Sequence, residues 1–340
     1  MTGFSGSYDS LASISTAVAE QPEPAATYRD KAVAVTGASG FVGTHLCSML
    51  VHRGYKVRAL VRDTVKAAHR LGHLDLQIRS TDIRDLSALR DAFHDCGAVI
   101  HLAAIAIEKK GESYASTNTD ATRNVVEAAK AESVERLLHM SQNGSDSLSP
   151  YGFLRSKGLA EDIVTGSGLK WTVFRPSVIF GPEDEFVNVL ARLVRLSPFV
   201  YPLPGGGVAR FQPVAVDDVA RAVVKSLEDD STIAHRYGMG GPMPLTLRQM
   251  VERILIAMSA HRVLVGIPVA VLRPVVGLAQ RILPRPPVTT SLLDLLKIDN
   301  VVEPNDLVSE LGITPIPFAP EELLYLKKIR FRDAFASLVG

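Results

Sequence analysis

The stretch TGASGFVG, residues 36–43, places glycines at positions 37, 40 and 43. An apolar run, KAVAVT, precedes it and an amphipathic run, FVGTHLCSMLVHRG, follows, so the glycines fall where a buried strand turns into a helix. In that setting Gly37 permits the tight turn, Gly40 lets the backbone approach a pyrophosphate, and Gly43 lets helix and strand pack closely. The amides of Phe41 and Val42 then face an anion at the positive end of the helix, with Ser39 beside them. The chemistry implied is the binding of a dinucleotide.

The second strand, KVRALV, bears on which dinucleotide. An acidic residue at its end would bind the ribose 2′-hydroxyl, yet it ends in Val61 and Arg62 follows. A guanidinium beside that ribose favours a 2′-phosphate, so NADP(H) is expected over NAD(H), the alternative being that Arg62 is a solvated strand-end charge. Asp82, with Ile83 after it, is placed to accept from the adenine amino group or, alternatively, to cap the helix that starts near Leu86. Leu102, Ala103 and Ala104 end a fourth strand with residues that admit the cofactor, and Pro176 closes a sixth strand beside the same crevice.

These residues need elements to carry them. LQIRS, AVIHLAA, RLLHMS and WTVFRP continue the strand series, with helical patterns at 86–94, 119–131 and 150–165 between them. The expected fold class is α/β: a Rossmann doubly wound parallel sheet with a smaller C-terminal substrate lobe. The division expected is a disordered leader at 1–29, a dinucleotide-binding domain at 30–180 to which 211–240 returns, and a lobe from 181–210 and 241–340. Phe180, Phe186, Phe199 and Phe211 are expected to build the lobe's wall of a substrate cleft.

Composition narrows the partners. Among 340 residues, 37 Lys and Arg against 36 Asp and Glu leave a formal charge of +1, so nucleic acid is not an expected partner. Cys47 and Cys96 lie in apolar-periodic segments and read as buried thiols, and the nine histidines form no ligand-spaced cluster, so no metal is expected. His101 and His139 fall at inward strand positions and are expected to be neutral, hydrogen-bonded core residues. Residues 262–284, RVLVGIPVAVLRPVVGLAQRILP, are the most apolar stretch, but Arg273, Pro274 and Arg281 make it a poor membrane span. It is expected to be a pair of lobe helices packed on their own domain or, alternatively, a surface for a membrane interface or partner protein. The expected location is cytoplasmic or its matrix-side equivalent, with peripheral membrane attachment as an open alternative.

With TGASGFVG, DIRD, HLAA, the helix bearing Lys157, RPSVIFGPED and FQPVAVDDVA in this order, the chain resembles the extended and atypical short-chain dehydrogenase/reductases. More narrowly it is similar to the group that contains the nucleotide-binding alpha-subcomplex accessory subunit of respiratory complex I. The narrower likeness rests on RPSVIFGPEDEF, GGGVARFQPVAVDDVA, YGMGGPMPLTLRQM and LLKIDNVV followed by LGITP, and the likeness covers about Lys31 to Pro317. It implies a Ser or Thr, a Tyr, and a Lys four residues after the Tyr: the phenol exchanges a proton with substrate, and the ammonium tunes it and binds the ribose.

In SPYGFLRSKGLAE, residues 149–161, Lys157 matches the lysine, but Phe153 stands at the tyrosine position and has no proton to give. Tyr151 is the fallback phenol, although six residues before Lys157 lies off its helical face. Gln142 aligns with the hydroxyl position, with Ser141 as the fallback after a one-residue slip. The resemblance therefore implies an NADP(H)-binding component with a degraded triad, non-catalytic or weakly catalytic, associated with a respiratory or quinone-linked membrane complex. The alternative is an active NAD(P)-dependent reductase or epimerase acting on a small apolar or quinone-like substrate.

Overall fold

The first apolar run forms β1 (Ala32–Thr36), whose residues 33–36 are all buried, as in a strand covered on both faces. The structure, a computed structural model, describes residues 30–109, 111–283 and 288–339, so the expected leader lies outside the described residues. From β1 the chain alternates through α1 (Phe41–His52), β2 (Val57–Val61), α2 (Thr64–Leu71), β3 (Gln77–Ser80), α3 (Leu86–Phe93) and β4 (Cys96–His101). It continues with α4 (Ala121–Ala131), β5 (Arg136–Met140), α5 (Gly152–Thr165) and β6 (Lys170–Pro176). A π-helical turn at Ala115–Asp120 runs straight into α4, so that helical segment starts earlier than its apolar period suggests. The sequence pattern omits α2, which buries only Ala67 and Leu71, too few positions for a period to stand out. Asp63 caps it, accepting from the Lys66 amide.

Beyond β6 follow β7 (Ile179–Phe180), α6 (Val187–Leu196), β8 (Val200–Pro204), β9 (Arg210–Phe211), β10 (Val214–Ala215), α7 (Val216–Glu228) and β11 (His235–Met239). The last elements are β12 (Leu245–Thr246), α8 (Leu247–Ala257), β13 (Val263–Ile267), α9 (Val269–Ile282), α10 (Thr290–Leu295), α11 (Asp306–Ser309) and α12 (Phe331–Val339).

The central sheet has seven strands in the order β3-β2-β1-β4-β5-β6-β11, with every neighbouring pair parallel. Strand order reverses between β1 and β4, which opens a crevice beyond their carboxyl ends, where Thr36 stands level with His101. On one face α1 and α7 bury Leu46, Leu50, Val219, Val223 and Leu227 against Val33 and Val35. On the other, Leu89, Phe93, Val125 and Ala129 pack against Ala34, Val99 and Leu137. Each large side chain so buried contributes about 1.5–3 kcal/mol, which makes both helical layers integral to the sheet. The fold is thus the expected Rossmann-type α/β sheet. A separate apolar cluster joins Val187, Val194, Tyr201, Met250, Ile254 and Phe318, and α8 enters it behind a capping box of Thr246 and Gln249.

Two expectations for the C-terminal part are corrected. The described part of 262–284, residues 262–283, does not form a helix pair: β13 runs parallel to β8, and a single helix, α9, follows with Pro274 inside it. Nor is α9 packed into its own domain, since none of its residues is buried and Val271, Val275, Leu278 and Ile282 are 58–68% exposed. Its ties to α10 include Arg273–Asp294 and the Gln280 side chain, which accepts from the Thr290 amide. Phe199, 79% exposed, stands apart from Phe180, Phe186 and Phe211; Phe186 tilts against Phe211 with ring centroids 5.3 Å apart. Among the described residues no helix is long and apolar enough to cross a membrane.

Candidate functional site

The glycine turn is built to the limit of backbone approach. Gly37 takes φ +70°, and a Cβ there would lie 2.9 Å from the amide nitrogen of Ala103 at the end of β4. At Gly43 a Cβ would meet the Gly37 carbonyl oxygen at 2.3 Å, and at Gly40 the same oxygen at 3.0 Å. These are cradles that any side chain would fill, as close approach to a pyrophosphate requires. Among the described residues no side chain caps α1, so its first amides, those of Phe41, Val42 and Gly43, are available to an anion. Thr36 fastens the two strands at the switch point: its hydroxyl accepts from the Ala103 amide, and its carbonyl accepts from the Leu102 amide. Ala104, exposed, follows them into the crevice.

The Ser39 carbonyl accepts from Arg70, which also pairs with Glu183. Arg70 thus braces the glycine turn from α2 and links it to the loop that leaves β7. The sequence offered no signal for this, because α2 itself was not legible.

At the ends of β2 and β3, Arg62 is not a free strand-end charge: it pairs with Glu112. Asp82 accepts from the Arg84 amide and guanidinium at 2.6–3.2 Å, and Arg84 also reaches the Gly111 carbonyl. The capping alternative for Asp82 is corrected, since Asp85 caps α3 by accepting from the Ala88 amide. Ile83, 8% exposed, packs into the core under α3 and α4.

The opposite end of the crevice is floored by α5. Tyr151 is its N-cap, with extended backbone (φ −88°, ψ 117°), and Pro150 lies before the helix, so the helix starts later than the sequence pattern suggests. Phe153 and Lys157 are one turn apart on one face. The Phe153 ring tilts against Tyr114 at 5.9 Å, and the Lys157 ammonium donates to the Met140 carbonyl at 2.6 Å. Burial pushes the Lys157 pKa down to about 8, with nearby Glu161 opposing the shift.

Ser141, the fallback hydroxyl, is buried and committed: it donates to Glu161 at 3.0 Å and lies 3.1 Å from the Ser145 hydroxyl, which shares the same carboxylate. Glu161 also receives Arg175 and Arg236, an ion-paired cluster that sequence spacing did not reveal. Gln142 follows Ser141, half-buried, and its carbonyl accepts from the Ser145 amide. Pro176, at the buried end of β6, accepts from the Asn143 amide, whose side chain in turn reaches Asn300 and Val301. Asn118, also missed, ties the segment after β4 to α5 by bonding Ile105 and Ser156.

Beneath Lys157 lie two buried histidines. His101 is hydrogen-bonded to Thr36 at 2.7 Å and to Thr122 at 2.9 Å, and burial, with Lys157 nearby, pulls its pKa down to about 3. His139 is also held neutral by burial, but neither of its ring nitrogens has a partner among the described residues, so the expectation of a hydrogen bond there is corrected. Both cysteines are buried free thiols, with Cys47 pushed up to about 12 and Cys96 to about 11 by burial. Among the described residues no cluster of side chains could hold a metal ion.

Comparison with known proteins agrees with this geometry. Residues 33–240 match the model of the NAD dependent epimerase/dehydratase family. The chain is 31% identical over 224 residues to NADH dehydrogenase [ubiquinone] 1 alpha subcomplex subunit 9, mitochondrial, of Arabidopsis thaliana, covering 64% of this chain but only 56% of that protein. The mouse protein of the same name is 28% identical over 305 residues, covering 87% of this chain and 80% of its own length. In fold, UDP-glucuronic acid 4-epimerase from Bacillus cereus superposes with a TM-score of 0.68 at 18% identity, covering 87% of this chain and 99% of that one. With the switch-point crevice, the glycine turn and the family match in agreement, the chain belongs to the NAD dependent epimerase/dehydratase family, whose members bind a nicotinamide dinucleotide.

Proposed function

We propose that the chain binds NADP(H) in preference to NAD(H) and serves as a nucleotide-binding component of a respiratory or quinone-linked membrane complex, without turnover of its own. The observation that carries the reading is Phe153, which stands one helical turn before Lys157 where the family's chemistry needs a phenol. A bound nicotinamide supplies hydride exchange at its ring. Around it this chain keeps the holding groups: the glycine turn for the pyrophosphate, Arg62 for a 2′-phosphate, and Lys157 for the ribose. At the positions where the resemblance puts the proton carriers, Phe153 has no proton to give and the Ser141 hydroxyl is engaged by Glu161. Retention without turnover has a physical rationale, since a ligand at 100 times its dissociation constant adds about 2.7 kcal/mol to the folded state.

The names of the Arabidopsis and mouse relatives support membership of a quinone-linked respiratory complex, and they place those relatives in the mitochondrion. The exposed apolar face of α9, with β13 before it, is the docking surface under this reading. Stopped-flow mixing of the NADPH-loaded chain with panels of carbonyl compounds and quinones tests the catalytic half: no oxidation is expected. Oxidation that disappears in Lys157→Ala would establish an active reductase instead. Titration tests the other half, with NADPH expected to bind about tenfold more tightly than NADH, as one charge-assisted contact provides. Equal affinities refute the preference.

A further inference from the structure

We propose that Glu112 is a specificity-determining residue of the dinucleotide site. It supplies, from the segment after β4, a carboxylate beside Arg62, where that of Asp63 is taken up by capping α2, so that the Arg62–Glu112 pair receives either a 2′-phosphate or a 2′-hydroxyl. The inference rests on the reading of Arg62 given above and goes beyond it.

At the end of β2 Arg62 is followed by Asp63, whose carboxylate is engaged in capping α2 through the Lys66 amide, whereas an acceptor for a ribose hydroxyl in this fold is ordinarily an acid at that place. Glu112 arrives there from 50 residues further along the chain and pairs with Arg62. Its side chain is 19% exposed against 54% for Arg62, so the carboxylate is the more enclosed partner. The segment before it is tied down twice. Lys109 and Glu112 exchange backbone hydrogen bonds at 2.9 and 3.0 Å, and the Gly111 carbonyl accepts from Arg84 at 3.4 Å. Arg84 is itself paired with Asp82 at the end of β3. Two guanidinium groups and two carboxylates therefore sit together where the adenosine ribose of a bound dinucleotide belongs.

The chemistry of the two ligands differs at this point. A 2′-phosphate carries a charge of about −2, attracts Arg62 and repels Glu112, so it must displace the carboxylate from the guanidinium. A 2′-hydroxyl is a donor that the Glu112 carboxylate accepts while Arg62 stays paired. The pair thus lowers affinity for NADP(H) below what Arg62 alone would give and raises affinity for NAD(H).

Dissociation constants for NADPH and NADH, measured by nicotinamide fluorescence on the full chain, test this with Glu112→Gln, Glu112→Asp, Arg62→Ala and the double variant Arg62→Ala/Glu112→Gln. In Glu112→Gln the NADPH-to-NADH affinity ratio is expected to rise about tenfold, the size of one charged contact. Glu112→Asp, which keeps a shorter carboxylate, is expected to move the ratio the same way by a smaller factor. The double variant is expected to show no preference. An unchanged ratio in both Glu112 variants, with Arg62→Ala still weakening NADPH, overturns the role of Glu112 and leaves that of Arg62 standing. Unchanged affinities in Arg62→Ala overturn both.

Discussion

The two ends of the dinucleotide crevice depend on different kinds of atom. At the glycine turn the determinants are backbone: positions 37, 40 and 43 approach one another and β4 so closely that a single added carbon has nowhere to go. At the α5 end they are side chains: a buried ammonium, an aromatic ring and a hydroxyl drawn off by a carboxylate. Under the proposed function, holding a ligand and carrying out chemistry on it draw on separable parts of one site. A binding end resists change because almost any substitution breaks it, whereas a catalytic end can lose its proton donor through one substitution that leaves the packing intact.

The largest effect is expected at the backbone end. Gly43→Ala sets a methyl 2.3 Å from the Gly37 oxygen and 2.6 Å from that of Ala38. Overpacking of this kind costs about 3 kcal/mol, and the displaced turn should no longer bind NADPH. Thermal unfolding with and without the nucleotide reads both; a variant that melts and binds normally would show that the two ends are equally tolerant.

At the side-chain end, Lys157→Met should separate the two properties. Relief of the buried ammonium should offset the loss of its bond to the Met140 carbonyl, so the stability of the unliganded chain should change by less than about 1 kcal/mol. NADPH affinity should nevertheless fall about tenfold with the loss of one charged contact. A drop in both quantities would make Lys157 a structural support.

Acid should act on the histidines below that lysine. Their folded pKa values are depressed, His101 to about 3, so the unfolded chain takes up protons near pH 6.5 that the folded chain refuses. Stability is accordingly whole above about pH 6.5 and is lost as pH falls toward 3, at about 1.4 kcal/mol per pH unit for each such group. Chemical denaturation across that range should show a shallower slope in His139→Leu. The smallest effect is expected far from the crevice: Val275→Glu, on the exposed face of α9, should change stability by less than about 0.5 kcal/mol and leave NADPH binding unaltered.

What could be read from the chain was what local pattern controls. The strand series and the glycine turn show themselves because apolar period and glycine spacing are properties of neighbours in sequence. The Arg62–Glu112 pair joins residues 50 apart, and Arg70 reaches Ser39 and Glu183 from a helix with two buried positions; both depend on how the strands line up. Asp82 and Asp85 are equally good capping residues by type, and only the position of the first turn of α3 decides between them. Residues 262–284 misled for a different reason. Their hydropathy is that of a core, but their exposure is set by what lies beside α9, which no local pattern encodes.

The route of α7 and β11 has a consequence for the life of the nascent chain. Residues 216–228 supply much of the apolar layer over α1, and residues 235–239 pair with β6. A polypeptide that has emerged only as far as Pro176 therefore carries every strand of the glycine-turn half, but it has an unpaired β6 edge and a half-bare sheet. Such a fragment is a template for pairing with other chains. Completion of the nucleotide-binding half must wait about sixty residues more, a delay of roughly 3–12 s at ordinary rates of synthesis. Over that interval protection of the β6 edge is a task for the ribosome's surroundings and not for the protein.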